Sequence, residues 1–149
     1  MTSFTKGTLL SKMLVLATTK HDGAFDKGGM PYILHPLKVM YYLKTDDEEL
    51  NCIALGHDLV EDTDVTYFLL RSMGFTDRVI EGIKSVTKVP GETHEEYKAR
   101  VKSNPDGTKV KLCDLRHNSD IRRLKGVTEK DITRIAKYHA FFLELSENN

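Results

Sequence analysis

Residues 54–66 read ALGHDLVEDTDVT, an apolar run that leads without a break into a histidine and four acids. The apolar part belongs to a longer pattern, EELNCIALGHDLVED, in which Leu50, Ile53, Ala54 and His57 fall on related faces of a helix. Thr45-Asp46-Asp47-Glu48 ahead of it matches a capping box. The stretch therefore predicts a buried helix whose C-terminal end carries His57, Asp58, Glu61, Asp62 and Asp64. Acids at that end face the negative pole of the helix dipole, so local electrostatics oppose the clustering. A divalent cation would offset it, because imidazole with carboxylates is a ligand set for Mn, Fe or Zn.

The rest of the chain has helical spacing too. Leu9, Leu10, Met13, Leu14 and Ala17 predict an amphipathic helix that ends near His21-Asp22-Gly23. After a glycine-rich loop, Pro31 and Pro36 bracket PYILHP and put His35 at the lip of a helix running through LKVMYYLK. Further helices are expected in TYFLLRSM, stopped at Gly74, and in DRVIEGIKSVTK, stopped at Pro90-Gly91. A capping box at Thr93–Glu96 opens EEYKARVKS, and Asn104-Pro105-Asp106-Gly107 reads as a turn. KVKLCDLRHNSDIRRL and TEKDITRIAKYHAFFLEL, the latter capped by Thr128, complete the set. Period-two alternation is missing, so the fold class is all-α, expected as a single domain over residues 1–149.

Composition narrows the function. Lys plus Arg and Asp plus Glu both number 22, so the overall field favours neither a nucleic-acid partner nor a membrane surface. Cys52 and Cys113 lie in apolar stretches without metal-site spacing, as buried free thiols of a reducing, cytoplasmic compartment would. The N-terminal apolar patch is broken by Lys12 and shows no cleavage site or membrane span.

More candidate ligands lie outside the acidic stretch. His35 precedes a helix-starting proline, and Asp114 sits in the apolar segment KLCDLRHN, where an unpaired carboxylate would be costly. With His57 and Asp58 they form a His-His-Asp-Asp set. Glu61 is four residues after His57, and Asp62 four after Asp58, so the second pair stands one turn on, placed to orient or deprotonate a water.

In this order the landmarks resemble the HD phosphohydrolase superfamily, and within it the hydrolase domain of RelA/SpoT-type proteins and the small alarmone hydrolases. They are the H-D-G at His21, KGGMPYILHP, HDLVEDT, Gly74-Phe75, V-T-K at Val86 to Lys88, and KLCDLRHN, together running from about Ala17 to Asp120. The resemblance implies an HD-domain helical bundle in which His35, His57, Asp58 and Asp114 hold one Mn²⁺, other divalent transition metals also being accepted, while Glu61 and Asp62 act on the nucleophilic water. It implies guanosine tetra- or pentaphosphate (ppGpp or pppGpp) as substrate, cleaved at the 3′ position to release pyrophosphate and leave GDP or GTP. Lys27, Tyr32, Arg116 and Asn118 are its candidate substrate contacts.

Two positions depart from the family's pattern. Asp26 stands where the family usually has an arginine that stacks on guanine, and D-L-R-H-N replaces D-R-L-H-N, so that Arg116 either reaches phosphate or forms a surface pair. Asp26 keeps open a phosphatase acting on NADPH or a deoxynucleotide, and a non-catalytic nucleotide-binding module is the other alternative. His21 and His117 read as groups behind the ligands or as packing residues, His94 and His139 as surface residues. Tyr138, Phe141 and Phe142 form an aromatic stripe expected in the core, and Arg122-Arg123 with Lys125 reads as a solvated face.

Overall fold

A computed structural model describes residues 6–147. These residues are helical apart from their connections, with one isolated bridge between Phe25 and Pro31. In chain order the helices are α1 (Thr8–Lys20), α2 (Leu34–Leu43), α3 (Glu48–Gly56), α4 (Leu59–Asp62), α5 (Tyr67–Ser72), α6 (Asp77–Ser85), α7 (His94–Ser103), α8 (Pro105–Asn118) and α9 (Glu129–Glu147), with a 3₁₀ turn at Ile121–Arg123. None is long and apolar enough to cross a membrane.

Helix α3 is the axis of the bundle. Every residue from Leu50 to Gly56 is buried, and α1, α2, α6 and α8 pack around it. Such close surrounding requires small residues at the crossings. A Cβ on Gly82 of α6 would stand 2.3 Å from Ile53 Cδ1, and one on Gly56 would stand 2.9 Å from Met13 Cε. The main core gathers Met13, Val39, Ile53, Leu55, Leu59, Leu70 and Ile83, while Val86, Tyr97, Val101, Leu115, Phe141 and Leu145 form a second cluster under α9.

Several boundaries differ from the sequence expectation, each for a local reason. The helix through residues 48–62 is broken at His57-Asp58, so the acids stand on a separate short helix, α4. At the joint His57 Nδ1 bonds Ala54 O at 2.7 Å, the carbonyl that an unbroken helix would offer to the N–H of Asp58. The cap of α3 is Asp47, whose side chain accepts from Leu50 N, rather than Thr45, whose hydroxyl accepts from Asp47 N. Residues 104–107 do not form a turn but start α8: Asn104 accepts from Gly107 N at 2.9 Å, and Pro105 fills the first helical position. Helix α8 stops at Asn118, after which the Asp120 carboxylate takes Arg122 N and shapes the 3₁₀ turn. Helix α6 ends at Ser85, short of Pro90. Cys52 is buried and Cys113 half-buried, both as free thiols.

Candidate active site

The break after α3, the first turn of α2 and the middle of α8 converge. His57 caps α3, Asp58 follows it, His35 is the second residue of α2, and Asp114 lies on the buried side of α8. His35 Nε2 is 2.8 Å from Asp114 Oδ1 and 3.7 Å from Asp58 Oδ2; His57 Nε2 is 3.1 Å from Asp58 Oδ2 and 3.3 Å from Asp114 Oδ1. Each of the two imidazoles of the expected ligand set thus turns Nε2 to both carboxylates.

The set fits a divalent cation on two grounds. Neighbouring ligands of a six-coordinate ion with bonds near 2.1 Å lie about 3.0 Å apart, close to three of the four spacings, the His35–Asp58 distance being longer. Protonation is equally telling: Ala54 O can only accept, so Nδ1 of His57 carries the hydrogen and its Nε2 lone pair is directed at two carboxylates. Either a proton or a cation must lie between them. His35, His57 and Asp58 together form a group able to hold a metal.

Charge around the cluster is finely distributed. Burial opposes protonation of His57, but Asp58 and Asp114 outweigh it and raise its pKa well above the ordinary value. Burial likewise opposes ionisation of Asp114, yet Lys111, His35 and His57 hold its carboxyl well below the usual range. Lys111 Nζ donates to Asp114 Oδ2 at 2.8 Å, and Asn118 Nδ2 to Oδ1 at 3.1 Å. Asp58 is drawn down to about 2; burial works against this, and His57 accounts for most of the lowering. The Tyr32 hydroxyl donates to Asp58 Oδ2 at 2.5 Å, which with burial raises the phenol pKa.

Glu61 and Asp62 stand on α4 at the rim. Glu61 Oε1 accepts from Lys88 N at 2.9 Å, which anchors the carboxylate. Asp62 is a surface residue whose carboxyl is partly desolvated against the site; this, with the charges of Asp58 and Glu61, pushes its pKa up to about 6. An acid poised near neutrality beside a metal cluster suits proton transfer.

A cavity of about 270 Å³ opens beside the cluster, with Phe25, Lys27, Tyr32, Asn118, Arg123 and Tyr138 among its walls. Tyr32 and Asn118 connect it directly to the ligand carboxylates. A second cavity, about 510 Å³, lies beyond Lys111 and is lined by Lys88, Lys98, Lys111, Arg134 and Lys137 around the aromatic rings of Tyr97, Tyr138 and Phe141. Arg134 and Tyr138 border both.

Three of the four expected substrate contacts, Lys27, Tyr32 and Asn118, therefore line one cavity. Arg116 does not: it is turned onto the ring of Tyr42, 3.8 Å from its centroid, outside the walls of this cavity. The arginines found there are Arg123, from the segment expected to be solvated, and Arg134. Asp26 binds Arg123 at 3.2 Å and also accepts from Gly28 N and Met30 N, so the acid at the departing position shapes the loop. Lys111 and Tyr138 were missed as well. Lys111 had a signal, its i,i+3 spacing from Asp114; Arg123 is 97 residues from Asp26 and had none. His21 is buried 5.0 Å from Tyr32, with Nε2 lacking a hydrogen-bond partner among the described residues.

No protein-family model matches the chain. A guanosine-3′,5′-bis(diphosphate) 3′-pyrophosphohydrolase of Aquifex aeolicus is 33% identical over 129 residues, covering 81% of this chain and 18% of the relative. A GTP pyrophosphokinase rsh of Brucella ovis is 32% identical over 142 residues, 87% of this chain and again 18% of the relative. The chain thus spans less than a fifth of the length of these curated relatives. A solved structure described as a metazoan ortholog of SpoT that hydrolyzes ppGpp has the same fold, with a TM-score of 0.75, 24% identity, and coverage of 98% of this chain and 88% of that one. Fold and donor cluster together define an all-α domain of the HD type. Within that class, the similarity in sequence places the chain with the RelA/SpoT hydrolase domains.

Proposed function

We propose that the chain is a Mn²⁺-dependent guanosine-3′,5′-bis(diphosphate) 3′-pyrophosphohydrolase. The carrying observation is that His35 and His57 each face both Asp58 and Asp114, beside a cavity whose wall residues Tyr32 and Asn118 bond those two carboxylates. A divalent cation held there supplies Lewis acidity at the phosphoryl group and lowers the pKa of water. In the reaction, water adds to the phosphorus of the 3′-linked diphosphate, the bond from that phosphorus to O3′ breaks, and O3′ gains a proton, giving pyrophosphate and GDP or GTP.

The chain's own groups have distinct parts in this scheme. Glu61, anchored through Lys88 N, takes the water's proton, and Asp62 exchanges protons at the rim. Tyr32 and Asn118 hold the carboxylates of Asp58 and Asp114 while facing the nucleotide. Lys27 and Arg123 supply positive charge in the smaller cavity, and the lysines of the larger one offset the phosphates.

The test is turnover of guanosine tetraphosphate by purified protein with Mn²⁺, with NADPH and simple nucleotides run in parallel, alongside Asp114→Asn and Glu61→Gln. Pyrophosphate release is expected from the tetraphosphate. It should vanish in Asp114→Asn and fall about 10²–10⁴-fold in Glu61→Gln, with metal binding spared in the latter. Phosphate release from another nucleotide alone would move the substrate, and silence on all would overturn the enzymatic reading.

A further inference from the structure

One buried contact of the cluster has no part in the scheme above. His35 turns Nε2 towards the carboxylates and Nδ1 the other way, where it meets Nδ1 of His117 at 2.7 Å. The two rings are near parallel, at 13°, with centroids 5.0 Å apart. A centroid distance this long with so short a nitrogen contact means that the rings meet edge to edge, and the bond lies close to both ring planes along the lone-pair directions. Both side chains are buried, at 3% and 9% exposure.

A bond between two imidazole nitrogens needs one hydrogen. If His117 donated it, Nε2 of His35 would carry a hydrogen towards the carboxylates and could not ligate a cation. If His35 donates, its Nε2 lone pair faces the carboxylates and His117 is the acceptor. Partners behind a metal-binding histidine commonly are carboxylates or carbonyls; here the acceptor is a second imidazole.

His117 is itself held on two sides. Tyr42 meets its ring edge-on at 6.0 Å, and the same tyrosine is covered by the Arg116 guanidinium at 3.8 Å and by Lys38 Nζ at 5.2 Å. Arg123 Nη1 donates to its backbone oxygen at 3.0 Å, fixing the end of α8. A column of side chains therefore runs from Arg116 at the surface through Tyr42 and His117 to His35.

We propose that His117 is a positioning residue: it accepts the Nδ1 hydrogen of His35, selects the tautomer that can ligate through Nε2, and thereby sets the affinity of the cluster for a divalent cation. This rests on the metal-site reading but is separable from it. The experiment titrates metal-stripped protein with Mn²⁺ by calorimetry, comparing wild type, His117→Asn and His117→Leu. Asparagine puts an acceptor oxygen near the position of Nδ1; leucine fills the space without one.

The dissociation constant should rise roughly 10–100-fold in His117→Leu and return close to wild type in His117→Asn, while the metal-free proteins melt as cooperative folded chains. A residue that only filled space would give the reverse ranking, leucine being the better filler. Equal Mn²⁺ affinity in wild type and His117→Leu overturns the proposal, as does His117→Asn binding no better than His117→Leu. Should His117→Leu fail to fold, His117→Ala takes its place in the same comparison. A wild-type chain that binds no Mn²⁺ overturns the metal site and this inference together, whereas wild-type binding with indifferent variants overturns the inference alone.

Discussion

Replacing Lys111 by methionine isolates one buried charge pair. The Lys111 ammonium lies 2.8 Å from Asp114 Oδ2, with side chains 14% and 6% exposed, and over the rings of Tyr97 and Phe141. Methionine keeps the chain length and the contact with the rings but leaves Asp114 without its cation. Breaking a buried pair from one side costs about 3–5 kcal/mol. Asn118 still donates to Asp114 and the His35 and His57 imidazoles still lie beside it, so the lower end, about 3 kcal/mol, applies. At roughly 2–4 °C per kcal/mol, the midpoint in chelator should fall by about 6–12 °C. Metal should narrow the gap: Lys111 repels a bound cation, so the variant binds it more tightly, and tighter binding adds stability. Thermal melts of both proteins with chelator and with saturating Mn²⁺ read both effects. A midpoint within about 2 °C of wild type in chelator, or a gap unchanged by Mn²⁺, would refute the reasoning.

Two further outcomes test the rim and the loop. Because the pKa of Asp62 is raised to about 6 and the residue must be ionised to accept a proton, the rate should fall as pH drops through about 6, or somewhat lower once a cation adds its charge. Asp62→Asn should abolish that acidic limb, and a pH–rate profile that keeps it would remove Asp62 from the chemistry. Gly28→Ala would put a Cβ 2.0 Å from Arg123 O, forcing apart the two segments that Asp26 joins. It should cost about 1–3 kcal/mol and raise KM more than it lowers kcat, since Lys27 and Arg123 move while the ligands on α2, α3 and α8 stay. Unchanged KM and melting temperature would falsify the link between loop and cavity.

The grouping of His57, Asp58 and Asp114 was partly legible because the two carboxylates carry local costs that a shared cation would help relieve. Acids at the end of an apolar helical run and an aspartate among Leu112, Cys113 and Leu115 each look unfavourable alone. Helical periodicity gave the fold for the same reason: α3 has no face it could leave in water. The break at His57 was hidden, since it depends on an imidazole taking a backbone carbonyl, which spacing does not show. Arg116 and Arg123 could not be told apart in the sequence, because both are arginines near a helix end. What separates them is tertiary: Tyr42 captures one and Asp26 the other.

That capture bears on how a chain with equal numbers of acids and bases could handle a polyanion. Neutral composition hides a local division. Asp58, Glu61, Asp62 and Asp114 gather at the joint between α3 and α4 and on the facing side of α8, where a cation would be needed to balance them. Lys27 and Arg123 line one neighbouring cavity beside Asp26 and Asp120, and Lys88, Lys111 and Lys137 the other, where Lys98 is paired with Glu144, with Arg134 between them. Acidic groups alone would bind a metal but repel phosphate; basic groups alone would bind phosphate but give the water no proton acceptor. Lys111 joins the two halves, one ammonium bonded to Asp114 and facing the basic cavity. Under the proposed function, a phosphate lying between the cation site and that cavity would meet positive charge on both sides, while Glu61, tied to the backbone of Lys88, would take the water's proton.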